Sequence, residues 1–292
     1  MATTVLGLKT FTASDPVDYN EINDNYNKID SGVKTALQGR AAHNLLDNSN
    51  FRNPVNQRGN TSYGAEGYSI DRWYFYNPNG DGTVAINNGY ISLTGGSGAV
   101  SLSCRFPKGF LDASKTYTAR SCDNLGNINP SSLNFYDSFD SFEIPAGAGE
   151  TKNIVWAALY EGAYDASTLP AYQPKGYAAE LAECMRYYYQ SNDNRYGQDG
   201  MIIRRAINIE GNTNSFALES VELPVTMRIT PTITVYDDDG NVNVAKEWYT
   251  NGKVLNTSIR YANNRSFCVA SESGKFVGGK SYFFQYAASA DL

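Results

Sequence analysis

One histidine and four cysteines are all that 292 residues supply. His43 alone cannot build a zinc site that needs two or more imidazoles, and it leaves little material for a His-based triad. Cys104, Cys122, Cys184 and Cys268 are scattered without metal-ligand spacing. A Cys104–Cys122 disulfide and four free thiols both fit, free thiols matching a cytoplasmic site of synthesis. Charge is scarce too: charged residues make up 18% of the chain, and 24 basic against 30 acidic side chains leave a net charge of −6. Without a Lys/Arg-rich run this balance argues against a nucleic-acid partner. No apolar run approaches the roughly 20 residues that span a bilayer, so membrane insertion is not expected. The opening MATTVLGLKTFT has neither the basic start nor the apolar core of a secretory leader.

Other signatures fail on register. The Gly-rich stretch Thr94–Gly98 is not followed by a Lys-Ser/Thr helix, so it reads as a strand connection and not a phosphate cradle. The acidic run Asp237-Asp238-Asp239-Gly240-Asn241 is followed by Val242, which breaks the calcium-loop spacing and favours a hairpin tip. No cofactor and no metal are expected, with a structural calcium elsewhere left open.

What the chain does have is tyrosine, 22 of them, and turn punctuation. Residues 14–40 begin with Asp15-Pro16, a helix-start pair, and carry Tyr19, Ile22, Tyr26, Ile29, Val33 and Ala36 at 3-4 spacing. So narrow an apolar stripe predicts a coiled coil joining identical chains, the other reading being a helix docked on its own domain. From residue 44 to 170 short runs alternate with Gly, Asn, Pro and Ser: Tyr68–Tyr76, Gly82–Ile86, Tyr90–Leu93, Ala99–Phe106, Lys115–Arg120, Ser132–Phe135, Ser141–Ile144 and Asn153–Tyr160. This cadence predicts an antiparallel sandwich or jelly roll. Residues 177–190 predict a helix with Leu181, Cys184, Met185 and Tyr188 inward and Glu180, Glu183 and Arg186 towards water. Strands resume over Met201–Ile209, Ser215–Leu218, Thr232–Tyr236, Val242–Lys246, Ser266–Ala270 and Ser281–Ala287.

Four passages carry a resemblance. NLLDNSNFRNPVNQRG, with YSIDRWYF soon after it, is similar to the opening of the carbohydrate-binding-like jelly-roll module of bacteriophage and prophage tail proteins. TLPAYQPKGYAAELAECMRYYYQ resembles the helix after that module, with Cys184, Arg186, Tyr187 and Tyr188 matching its Cys-x-Arg-Tyr-Tyr ending. LPVTMRITPTITVYD resembles the strand region beyond that helix, and SYFFQYAASADL the Ala-rich, acidic-Leu terminus of these proteins. The likeness runs in order along essentially the whole chain. It implies a tail-fibre or receptor-binding component of a phage or phage-derived particle, made in the bacterial cytoplasm and carried on the virion. Such proteins are usually homotrimers that meet tail or baseplate partners and host-surface polysaccharide.

The candidate sites are therefore read for binding. Asp71-Arg72 before Trp73 could be an acid/base with a sugar platform, or an internal brace whose two side chains leave a strand on opposite faces. A single carboxylate does not make a glycosidase. Tyr187, Tyr188 and Tyr189, consecutive on a helix, cannot form one flat platform. Trp248 and Tyr249, near the Asn251-Gly252 turn, with Arg260, Tyr261, Asn263, Asn264 and Arg265 close behind in sequence, form the candidate glycan-contact cluster. The expectation is a mainly β, non-catalytic protein in three parts: an attachment segment with stalk helix (1–43), a carbohydrate-binding-like jelly roll (44–170), and a connecting helix with a C-terminal β-sandwich (171–292). A purely architectural virion role and a glycan depolymerase are the alternatives.

Overall fold

Runs of alternating apolar and polar side chains, together with longer runs buried almost throughout, make the described residues mainly β. The computed structural model describes residues 18, 20, 22–29, 43–192, 200–208, 216–250, 252–271 and 275–292. A helical segment, α1, covers residues 22–29. Eleven strands follow: β1 (Ser62–Tyr63), β2 (Gly67–Tyr68), β3 (Trp73–Tyr76), β4 (Thr83–Asn87), β5 (Tyr90–Thr94), β6 (Val100–Pro107), β7 (Tyr117–Asp123), β8 (Ile128–Pro130), β9 (Ser132–Phe135), β10 (Phe139–Ala146) and β11 (Thr151–Glu161). After helix α2 (Tyr177–Met185) come β12 (Tyr188–Gln190), β13 (Ile202–Asn208), β14 (Phe216–Leu218), β15 (Val221–Glu222), β16 (Thr232–Tyr236), β17 (Val244–Glu247), β18 (Lys253–Leu255), β19 (Thr257–Arg260), β20 (Ser266–Ser271) and β21 (Ser281–Ser289).

The first eleven strands form two antiparallel sheets, ordered β1-β4-β5-β11-β7-β8 and β2-β3-β6-β10-β9. Both feed one core. Ile91, Leu93, Ile154 and Leu159 come from one sheet, and Trp73, Phe75, Leu102 and Phe142 from the other. Trp73 is fully buried, edge-on to Phe51 at 4.9 Å and Phe142 at 5.9 Å, and its indole N–H donates to the Asn48 carbonyl at 2.9 Å. Burying an indole of that size removes on the order of 200 Å² from water, an upper bound near 5 kcal/mol before entropy is counted. The glycine-rich connection between β5 and β6 is a close crossing. A Cβ on Gly95 would lie 2.1 Å from the Gly147 carbonyl oxygen, and two backbone bonds, Gly95 N–H to Glu150 O and Gly149 N–H to Gly96 O, tie the crossing together.

The third sheet runs β15-β20-β14-β13-β21-β17-β18, with β12 and β16 also on β21 and β19 on β20. β21 is its organising strand: β13 and β17 pair its first half, β12 and β16 its second. One face of β21, Tyr282, Phe284, Tyr286 and Ala288, joins Val235, Ala245, Phe267 and Val269 in a second core.

Two expectations change here. The helix stops at Met185 instead of reaching Gln190, because Tyr188–Gln190 pair with Ala287–Ser289 of β21 and are extended. Tertiary pairing overrides the local period, and the three tyrosines leave in different directions. Glu180 does not face water: it is buried and accepts the Asn48 N–H at 2.6 Å. Of the apolar stripe near the start, Ile22, Tyr26 and Ile29 lie on α1, whereas Tyr19, Val33 and Ala36 lie outside the described residues. Tyr26 is 67% and Ile29 40% exposed.

Candidate functional site

Asp71 and Arg72 sit in the turn before β3, not in a strand, and both are completely buried. Arg72 takes a positive φ of 72°, which costs an ordinary side chain about 1 kcal/mol and is compensated by its contacts. Its Nε donates to Asp47 at 3.1 Å and an Nη to the Arg105 carbonyl at 3.1 Å, while its flat face lies 3.5 Å from the Tyr187 ring centre. Asp71 takes other partners. Arg58 donates to Oδ1 at 2.7 Å, and the Gln57 side-chain amide donates to Oδ2 at 2.8 Å. The pair is a joint between the two cores. Arg58 reaches on to Asp291 at 2.5 Å and stacks on Tyr188 at 3.8 Å, and the Tyr68 hydroxyl both accepts from the Leu292 N–H and donates to its carbonyl. Burial pushes the Asp71 carboxyl up to about 6, against the pull of Arg58 and Gln57, and raises Asp291 in the same direction. Asp71 is wholly buried and both its oxygens are engaged by Arg58 and Gln57, the arrangement of a brace.

The cluster expected near the C-terminal turns is divided. Trp248 and Tyr249 occupy the turn after β17, with Trp248 half-exposed and edge-on to Phe283 at 5.7 Å. Tyr261 and Asn263 occupy the turn between β19 and β20, Tyr261 62% exposed and Asn263 Oδ1 accepting the backbone N–H groups of Arg265 and Ser266. Arg260 ends β19 opposite Cys268. The chain passes from one turn to the other along β18 and then β19, so the two groups stand at opposite ends of that path. They do not form one platform. Asn251 lies outside the described residues. The acidic run is a hairpin tip: Tyr236 bridges Val242, and Asp237 Oδ1 accepts the N–H groups of Asp239 and Asn241. Lys246 and Lys253 hold the cation positions among its carboxylates, Lys253 Nζ at 3.3 Å from Asp237 and 3.1 Å from Asp239.

The outward face of the β2-β3-β6-β10-β9 sheet carries a different assembly. Alternation in Trp73-Tyr74-Phe75-Tyr76 buries the first and third rings and turns Tyr74 and Tyr76 out. Tyr74 meets Tyr68 edge-on at 5.4 Å. The Arg105 guanidinium lies 3.4 Å from the Tyr74 ring centre and 4.6 Å from that of Phe139, and Phe139 meets Tyr136 at 5.0 Å. The result is a continuous row of rings and one cation crossing four strands. Carboxylates fix two of its rings: Tyr74 donates to Glu66 at 2.8 Å and Tyr136 to Glu143 at 2.9 Å. Partial burial and these acceptors together raise both phenols above their usual range. Tyr76 and Tyr136 are 47% and 43% exposed.

None of the family models, curated proteins or solved structures compared with the chain matches it. The site must therefore be read from its own chemistry. Exposed rings stack on the C–H faces of sugars, and a guanidinium flanked by carboxylates offers donors and acceptors to hydroxyls. Hydrolysis needs two carboxyls about 5–9.5 Å apart. Glu66 stands just before β2 and Glu143 on β10, three strand spacings or roughly 14 Å apart at the backbone. The row was open to view in one respect, since the Tyr74/Tyr76 alternation is local. Its partners Arg105, Phe139 and Tyr136 come from other strands, and no spacing in the sequence announces them.

Proposed function

We propose that this protein is a non-catalytic attachment component of a phage or phage-derived particle, a homotrimer that binds host-surface glycan. On this reading residues 1–43 anchor each chain to tail or baseplate partners and coil three copies together. Residues 44–170 form a carbohydrate-binding-like jelly roll, and residues 171–292 a connecting helix with a C-terminal sandwich. The protein is made in the bacterial cytoplasm and resides on the virion.

The observation that carries the glycan part is the outward Tyr74–Arg105–Phe139–Tyr136 row. A soluble protein that turns several aromatic rings to water on one sheet face gains nothing in stability from them unless something covers them. The exposed Tyr26 and Ile29 on α1 support self-association in the same way. The separated turns at Trp248/Tyr249 and Tyr261/Asn263 serve as secondary contacts. Three weak sites on one stalk add through effective concentration, so shallow faces suffice. The test is adsorption of purified protein to host cells and to their extracted polysaccharide. Tyr136→Ala with Tyr76→Ala should abolish adsorption without lowering the melting temperature. Undiminished adsorption by that variant would remove the sheet face from the proposal, and no adsorption by the parent protein would point to a purely architectural role.

A further inference from the structure

We infer that the outward row takes neutral sugars bearing vicinal hydroxyls and rejects acidic ones. The inference rests on the glycan reading and specifies its ligand class. The two carboxylates of the row differ. Both oxygens of Glu66 are engaged: Oε1 accepts from Tyr74 and Oε2 from the Asn77 N–H at 3.1 Å. Glu143 accepts from Tyr136 through Oε1, and no described residue donates to Oε2. That oxygen is open to solvent and can accept from a ligand hydroxyl. Across the sheet, Arg105 opposes Ser141, and Glu143 is the next outward residue along β10, which makes Arg105 and Glu143 diagonal neighbours roughly 7–8 Å apart at the backbone. Among the described residues no carboxylate lies within ion-pair distance of Arg105, its Nε is buried without an acceptor, and the Tyr74 and Phe139 rings lie against its guanidinium. That leaves the terminal nitrogens of the fork to donate.

A donor edge beside an unfilled acceptor, with the half-exposed Tyr136 ring adjoining them, matches a pyranose lying on that ring. One hydroxyl accepts from Arg105 and its neighbour donates to Glu143 Oε2. A sugar carboxylate fits poorly. It has no proton for Glu143, and it meets Arg105 and Lys108, the latter on the Tyr136 carbonyl, against Glu66, Glu143 and Asp140 on a chain of net charge −6. Ser141, fully buried with an unpartnered hydroxyl directly across from Arg105, adds a polar floor without adding charge.

The experiment uses the full chain on an array of neutral and acidic oligosaccharides, followed by titration calorimetry with maltohexaose, cellohexaose, mannohexaose and tetragalacturonate. Binding should be confined to neutral glycans. Glu143→Gln should weaken it roughly ten- to a hundredfold, the loss of one charged hydrogen bond, with the melting temperature unchanged. Tetragalacturonate binding as tightly as the best neutral glycan, or neutral binding indifferent to Glu143→Gln, would overturn the inference while leaving the glycan reading in place. If nothing on the array binds at millimolar concentration, the glycan reading falls and takes the inference with it.

Discussion

Arg58 holds two nearly dry carboxylates with one charge, and that imbalance has a measurable consequence. Asp71 titrates near 6 in the folded chain, above the ordinary 3.8, because burial disfavours its charge more than Arg58 and Gln57 favour it. A raised carboxyl pKa means that folding prefers the protonated form. Its stabilising contribution is complete below pH about 4 and lost as pH rises through about 6, an effect of about 3 kcal/mol for Asp71 alone. Asp291 acts in the same direction. Exposed carboxylates such as Asp165, held down to about 2 by Ser167 and Thr168, lose stability only as pH falls further. Thermal melts should therefore show the protein more stable at pH 5 than at pH 7.5, and Asp291→Asn should flatten that slope. A melting temperature that climbs steadily from pH 5 to 7.5 would contradict the shared-guanidinium account. Arg58→Met should cost about 3–5 kcal/mol in urea titrations at pH 7.5, since it strands both carboxylates, and less at pH 5, where they can take up protons.

Among the elements, strands with strong local alternation were legible and those defined by a distant partner were not. The alternation around Tyr68–Tyr76 and Ala99–Phe106 announces β3 and β6, since a strand with one buried face writes its period into the sequence, while the continuous apolar run within Asn153–Tyr160 announces β11. β12 has no such mark: Tyr187-Tyr188-Tyr189 suits helix or strand, and β21, about a hundred residues later, decides it. Asp71-Arg72 was legible as a polar brace but not as a turn, because its partners Arg58, Asp47 and Asp291 come from three other stretches. The candidate site divides likewise. Tyr74 and Tyr76 could be read outward from alternation, but pairing with Arg105 needed the β3–β6 register. The turn aromatics Trp248 and Tyr261 are near in sequence and are held apart by two consecutive strands. The glycine-rich stretch, read as a simple connection, carries a steric demand as well. Gly95→Ala places a methyl against the Gly147 backbone and should destabilise the fold by about 1–3 kcal/mol in chemical denaturation.

For the whole molecule the oligomer is the first quantity to measure. Tyr26 and Ile29 are exposed on α1, and charging them should dissolve the proposed trimer. Light scattering should report three chains for the parent protein and one for Tyr26→Glu with Ile29→Glu, with adsorption to polysaccharide falling by about 10²-fold or more as linked binding is lost. A parent protein that scatters as one chain would remove the stalk from the proposal. The arrangement around β21 bears on how such a molecule is made. Four strands that precede it in the chain, β12, β13, β16 and β17, find their common neighbour only when Ser281–Ser289 arrive. Until then a growing polypeptide carries several raw sheet edges with nothing to saturate them, and closure of the second core must wait on contacts of long sequence separation. Synthesis speed and crowding during those seconds, more than the finished contacts, would then govern how much of the protein escapes aggregation.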